Sequence, residues 1–264
     1  MQNAVRHKLA AGKTVMGMMH FTASPMIIEV MAAAGLDFAI IDMEHSPVDL
    51  GTAAHLVRAA DAASLTPFLR VPSVDAGLIK KVLNLGVRGI VIPHATVDSC
   101  KSAVEACFYP PRGDRGSCPA VRSAGYGQAD WDFHMQQAND EVVIVPLIED
   151  KETLDRIEEI MPLKGVDIIF LGPFDLSVAL GVPKAKFDHP LMAAALERLV
   201  SLANAHGKYV MTSVGDVIDT RYAHGLLEKG VRMISYSADA LVFLKACREI
   251  AALKQFETRA AAAE

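Results

Sequence analysis

Cysteine is scarce in this chain. Its 264 residues hold four, Cys100, Cys107, Cys118 and Cys247, and no two form a Cys-x-x-Cys pair. A disulfide scaffold is Cys-rich, so that architecture is excluded, and reduced thiols in a cytoplasmic protein are expected. Cys100 and Cys107 read as packing residues of one helix. No Lys/Arg run occurs and the formal net charge is −5, which argues against nucleic acid and anionic membrane as partners. No apolar run reaches membrane-spanning length. The segment Met1–Lys13 is polar and helical in character, without the apolar core of a signal peptide. A glycine fingerprint for a dinucleotide is missing too: after the first strand candidate the chain reads Met19-His20-Phe21-Thr22.

What is present is alternation. Hydrophobic residues make up 52% of the chain and charged residues 22%, a globular composition. Eight short apolar runs read as strands: Val15–Met18, Asp37–Asp42, Thr66–Val71, Gly89–His94, Val142–Glu149, Val166–Gly172, Tyr209–Val214 and Met233–Ser237. Several are continuously apolar, as strands covered on both faces are. Helical stretches lie between them: Pro25–Ala34, Asp49–Ala63, Asp75–Asn84, Asp98–Cys107, Lys151–Ile160, Pro190–His206, Asp216–Lys229 and Asp239–Leu253. Ser24-Pro25 and Asp49, Asp75, Asp98, Asp216 and Asp239 mark helix starts. Gly35, Gly86 and Gly230 mark helix ends. Eightfold βα order predicts one α/β domain over residues 1–264, a (β/α)8 TIM barrel with a C-terminal helical extension. Two segments break the order. Phe108–Asp140 is a long Pro/Gly/Arg-rich insertion, and Pro173–His189 is an extended loop with a short helix.

Active sites of such barrels lie at the C-terminal ends of the strands. That rule selects Asp42-Met43-Glu44-His45, Arg70, Pro93-His94, Glu149-Asp150 and Asp175. Glu149 and Asp175 come from neighbouring strands. Two converging carboxylates favour a shared cation such as Mg²⁺ or Mn²⁺; a solvated or salt-bridged pair is the alternative. Arg70 sits on an otherwise apolar strand and needs an anion there. A substrate oxygen is one candidate and an internal ion pair with Asp42 or Glu44 the other. Imine chemistry needs a desolvated lysine, and no strand interior contains one. Lys151 and Lys208 only flank strands. A metal is therefore favoured as the electron sink.

These segments resemble the HpcH/HpaI aldolase family, the metal-dependent class II aldolases of 2-oxo acids, over nearly the whole chain. The resemblance rests on Gly35-Leu36-Asp37-Phe38, Asp42-Met43-Glu44-His45-Ser46-Pro47, Arg70-Val71-Pro72 and Gly86-Val87-Arg88-Gly89-Ile90. It continues through Tyr109-Pro110-Pro111-Arg112-Gly113-Asp114-Arg115-Gly116 and Ile148-Glu149. Its most specific block is Phe170-Leu171-Gly172-Pro173-Phe174-Asp175-Leu176-Ser177. It implies a lyase that cleaves or forms 4-hydroxy-2-oxo acids through a pyruvate-type enolate and an aldehyde. A citrate-synthase-like condensation and a non-catalytic barrel are the alternatives.

The resemblance also implies roles. Glu149 and Asp175 hold Mg²⁺, Mn²⁺ or Co²⁺, and Arg70 stabilises the enolate. His45 moves the hydroxyl proton through water. Gly172, Pro173 and Phe174 border the substrate carboxylate, with Phe174 N–H as donor. Asp42 and Glu44 support the site from behind. The Tyr109–Gly116 loop shapes the acceptor pocket, and the assembly is a homo-oligomer, a hexamer or trimer, with exchanged C-terminal helices. Two positions depart from the family pattern. Asn84 stands where an aspartate usually pairs with the histidine, and Leu147 where a glutamine often lies beside pyruvate. The first weakens His45 as a base. The second opens the donor acid to larger ones, such as hydroxypyruvate or oxaloacetate, or to pyruvate held differently.

Overall fold

The computed structural model describes residues 2–128, 130–215 and 220–253. Its strands close into a parallel barrel in sequence order. They are β1 (Val15–His20), β2 (Phe38–Asp42), β3 (Thr66–Arg70), β4 (Gly89–Ile92), β5 (Val143–Ile148), β6 (Ile168–Leu171), β7 (Tyr209–Val214) and β8 (Met233–Ala238). The helices are α1 (Ala4–Ala10), α2 (Pro25–Ala33), α3 (Leu50–Ala62), α4 (Ala76–Leu85), α5 (Val97–Cys107) and α6 (Trp131–Glu141). They continue as α7 (Lys151–Asp155), α8 (Ile157–Ile160), α9 (Pro173–Ala179), α10 (Pro190–Ala205), α11 (Thr220–Glu228) and α12 (Asp239–Ala252). The barrel expected from alternation is thus present. The proposed helix start at Asp216 and the tail after Leu253 lie outside the described residues.

Side chains alternate along a strand, so every second residue faces the lumen. Val15 and Met19, Phe38 and Ile40, Phe68, Val91, Val143, Val145 and Leu147, and Ile168 and Phe170 pack there as one cluster. The intervening residues pack outward against the helices. Two glycines make the lumen fit. A Cβ on Gly17 would meet the Phe38 ring at 2.4 Å, and one on Gly89 would meet the Phe68 ring at 2.1 Å. The two rings then pack edge to face, 5.7 Å between centroids. Helix α1 closes the end of the barrel where the strands begin. Its Val5 and Leu9 join the lumen cluster. Asn3, fully buried, caps α1 and donates from Nδ2 to the carbonyls of Arg88 and Glu141.

Three local readings need correction. The insertion from Phe108 is not irregular throughout, because α6 occupies its last part. Only His134 and Asn139 of α6 are buried, so it carries little apolar periodicity to read. Helix α5 starts one residue before Asp98, which stands in its first turn, and its cap is Thr96, in a reciprocal capping box with Ser99. The stretch Lys151–Ile160 breaks at Arg156 into α7 and α8. Cys100 and Cys107 do face the core, where burial pushes both thiols up to about 12.

Candidate active site

The same alternation that builds the core carries charge into the mouth. Two residues beyond lumen-facing Ile40, Phe68 and Leu147 stand Asp42, Arg70 and Glu149. Asp42 and Arg70 are register partners across β2 and β3. Arg70 Nε donates to Asp42 Oδ1 at 3.0 Å and Nη2 to Oδ2 at 2.6 Å, a bidentate pair inside the wall. Asp42 is fully buried and also accepts from the backbone N–H of Glu44, at 2.8 Å. It thereby fixes both the arginine and the turn that presents Glu44 and His45. Of the two partners open to Arg70 from sequence, the internal ion pair is therefore the one formed in the free chain.

From Arg70 a line of charges runs around the rim. Arg70 Nη1 lies 3.0 Å from Glu44 Oε2, and Glu44 Oε1 lies 3.8 Å from His94 Nε2. His94 Nδ1 stands 3.4 Å from Glu149 Oε2, and the His94 backbone N–H donates to that same oxygen at 2.9 Å. His94 has φ 43°, a left-handed backbone that turns its N–H toward the carboxylate. Glu149 is only 7% exposed. Burial pushes its carboxyl above the ordinary value. The His94 N–H and ring pull the other way, while the charges of Asp175 and Glu44 push it further up. Two carboxylates thus push on a third, and Arg70, already bound to Asp42, lies beside Glu44.

Gly172 fits against this carboxylate. A Cβ there would lie 2.9 Å from Glu149 Cγ and 3.0 Å from Leu147 Cδ1. Leu147 itself is buried in the lumen wall and offers no polar atom. Asp175, in the first turn of α9, is exposed, as is Phe174. His45 is largely exposed, with Nε2 3.6 Å from Glu44 Oε2.

Asn84 is not brought to this site. It lies in the last turn of α4, where its Oδ1 accepts from Arg115 Nη2 at 3.2 Å. Helix α4 descends from the mouth toward the far end of the barrel. Its ten residues span about 15 Å, which separates Asn84 from His45 of the same chain. Sequence reasoning placed His94 at a strand end but assigned it no part; its contact with Glu149 depends on a backbone conformation that Pro93-His94-Ala95 does not announce.

Among the described residues, no group of three or more His, Cys, Asp or Glu is arranged to hold a metal. Two carboxylates with waters and substrate oxygens are, however, a sufficient set for Mg²⁺ or Mn²⁺. The raised Glu149, facing two further carboxylates, is chemically suited to a cation.

The chain is also similar to known proteins. Residues 16–246 match the family model of the HpcH/HpaI aldolase/citrate lyase family. A hydroxypyruvate/pyruvate aldolase of Cupriavidus necator is 32% identical, covering 95% of this chain and 91% of the relative. A 5-keto-4-deoxy-D-glucarate aldolase of Shigella boydii is 31% identical, covering 94% of this chain and 95% of the relative. The crystal structure of an HpcH/HpaI aldolase from Desulfitobacterium hafniense superposes with a TM-score of 0.88 at 28% identity. That likeness covers 95% of this chain and 96% of the other.

Proposed function

This chain belongs to the HpcH/HpaI aldolase/citrate lyase family, and from that membership and the mouth geometry we propose that it cleaves and forms 4-hydroxy-2-oxo acids with a divalent metal held by Glu149 and Asp175. The observation that carries this reading is the buried Glu149 carboxylate, raised above its ordinary value and faced by Asp175 and Glu44. Mg²⁺, Mn²⁺ or Co²⁺ held there by Glu149 and Asp175 would act as a Lewis acid toward the 2-oxo acid.

The chain's own residues account for the rest. In the cleavage direction the bond between C3 and C4 breaks, its electrons move toward the C2 oxygen, and the C4 hydroxyl loses its proton as the aldehyde forms. Arg70 Nε and Nη2 are committed to Asp42, which leaves Nη1, beside Glu44, for the developing oxyanion. Asp42 keeps that guanidinium from swinging away. His45 stands at the solvent edge, where it can accept the hydroxyl proton through water. The substrate carboxylate would lie along Gly172, Pro173 and Phe174. Leu147 places no amide beside it, so the donor acid is taken to include hydroxypyruvate as well as pyruvate.

Asn84 can reach a His45 only from another copy of the chain. Helix α12 supports such an assembly: Leu241, Phe243, Leu244 and Ile250 are all exposed along it. We take the protein to be one barrel domain assembled as a homo-oligomer, a hexamer or trimer, in the cytoplasm. No helix of the described residues is long and apolar enough to cross a membrane.

The test is a retro-aldol assay on 4-hydroxy-2-oxo acids with Mg²⁺, Mn²⁺ or Co²⁺ added to chelator-treated enzyme. Release of a 2-oxo acid and an aldehyde that depends on added metal is expected. Metal-independent cleavage, or none with any of these substrates, would overturn the reading. Deuterium uptake at C3 of pyruvate or hydroxypyruvate, without an aldehyde, reads enolate formation separately.

A further inference from the structure

At the far end of the barrel from the mouth, an arginine is buried with no carboxylate partner among the described residues. Arg115 is 4% exposed. Its Nη2 donates to the Asn84 side chain, and its guanidinium carbon lies 4.5 Å from the centroid of the Tyr109 ring. Neither neighbour carries a negative charge, and Nε has no partner. Among the described residues no carboxylate pairs with Arg115. Asp61 is taken by Arg88, at 2.8 Å, and by Arg122, at 2.7 Å. Glu141 is engaged by His7 and by the Asn3 backbone N–H. A buried cation left in that state is costly, and proteins compensate such charges.

The compensation has a place to sit. Arg115 lines a cleft between the end of α4, the insertion and α6. Ser123 and His134 line the same cleft, and Ser123 Oγ and His134 Nε2 are also buried without partners among the described residues. A guanidinium, a hydroxyl and an imidazole N–H are all donors. A hydroxyl and an imidazole alone would suit a water; the unneutralised guanidinium asks for charge as well as acceptors. We infer that this cleft is a binding site for a small oxyanion of the phosphate or sulfate class, held by Arg115, Ser123 and His134. The anion ties the insertion to α6 and to the closed end of the barrel, away from the mouth of the same chain.

The experiment is thermal unfolding of the full chain in inorganic phosphate, sulfate or acetate, each against chloride at matched ionic strength. Phosphate and sulfate at about 20 mM should raise the midpoint by roughly 3 °C over chloride. Two variants locate the effect. Arg115→Met removes the cation and should abolish the shift. Asn84→Asp sets a carboxylate on Arg115 Nη2, and should raise the midpoint in chloride while abolishing the response to phosphate. Should Arg115→Met fail to fold, Ser123→Ala, expected to at least halve the shift, takes its place. Phosphate indistinguishable from chloride means that water alone fills the cleft, and overturns the inference. So does a shift that survives undiminished in Asn84→Asp, since the anion would then be bound elsewhere, the mouth included. A response to acetate as large as that to phosphate also overturns the assigned class.

Discussion

Two arcs of the same mouth each set an imidazole against a carboxylate, with opposite results. On the β1–β8 side, His20 Nδ1 lies 2.9 Å from Asp239 Oδ2, and both residues are buried. Asp239 also accepts from Phe21 N, Thr22 N and Thr22 Oγ1. Burial alone would raise this carboxyl, but the bonds from His20, Thr22 and Phe21 outweigh it and hold it well below the usual range. On the β4–β5 side, His94 is mostly exposed, its ring is 3.4 Å from Glu149, and burial wins. The first carboxylate is satisfied by the protein. The second is left wanting a cation. A fold has no use for a half-satisfied buried acid, whereas a site that must bind and release a charged partner does.

The largest effect should come from Glu149→Gln. Replacing the carboxylate while keeping its shape should lower the metal-dependent cleavage rate by about 10³-fold, the scale of losing a principal electrostatic stabiliser. The metal-free variant should melt no lower than the parent. The sign follows from the raised carboxyl. Its favourable contribution is present below the unfolded value of 4.5 and is lost as pH rises through the folded value, so the charged form of Glu149 burdens the free chain. Rates and calorimetric midpoints measured side by side check both halves.

Asp239→Ala should do the reverse. It strands His20, Phe21 N and Thr22 N and should cost about 3 kcal/mol of stability, with cleavage per folded molecule little changed. Because the Asp239 carboxyl is depressed, its contribution is present above the unfolded value of 3.8 and lost as pH falls through the folded value. Urea midpoints of parent and variant should therefore converge on acidification. Equal loss of activity and stability would erase the contrast between the arcs.

Legibility of the two arcs differed as well. Asp42, Arg70 and Glu149 follow from alternation plus the rule that barrel chemistry sits at strand ends, and the structure puts all three at the mouth. Asp175 followed from the same rule, just beyond the end of β6. The barrel itself was readable because most strands are largely apolar and most connections carry a punctuating residue. What escaped depends on three-dimensional facts without a local signal. The role of His94 needs φ 43°. Helix α6 is mostly polar and exposed, so its period is faint. The distance of Asn84 from His45 is legible only once α4 is known to run down the wall, away from the mouth.

Gly172→Ala is a milder way to disturb the unsatisfied arc. The added methyl would press on Glu149 Cγ and Leu147 Cδ1, at 2.9 and 3.0 Å. Both are side chains that can yield by a few tenths of an ångström, so the chain should fold. The carboxylate must shift to do so, and metal affinity by titration calorimetry should fall about tenfold, the range seen when a ligand's support is altered. Unchanged affinity would mean that the position of Glu149 is set elsewhere.

The smallest effect isolates the two hands of His94. Asparagine tolerates a left-handed backbone, so His94→Asn should keep the N–H that donates to Glu149 Oε2 while removing the ring. Stability should change by no more than about 0.5 kcal/mol, as exposed charge pairs contribute little. The Glu149 carboxyl, followed by carbon NMR in the metal-free chain, should titrate higher than in the parent, because the ring's charge is one of the influences lowering it. A carboxyl that titrates unchanged would show that the backbone N–H alone restrains Glu149. The β4–β5 arc would then differ from the β1–β8 arc in having no working imidazole at all.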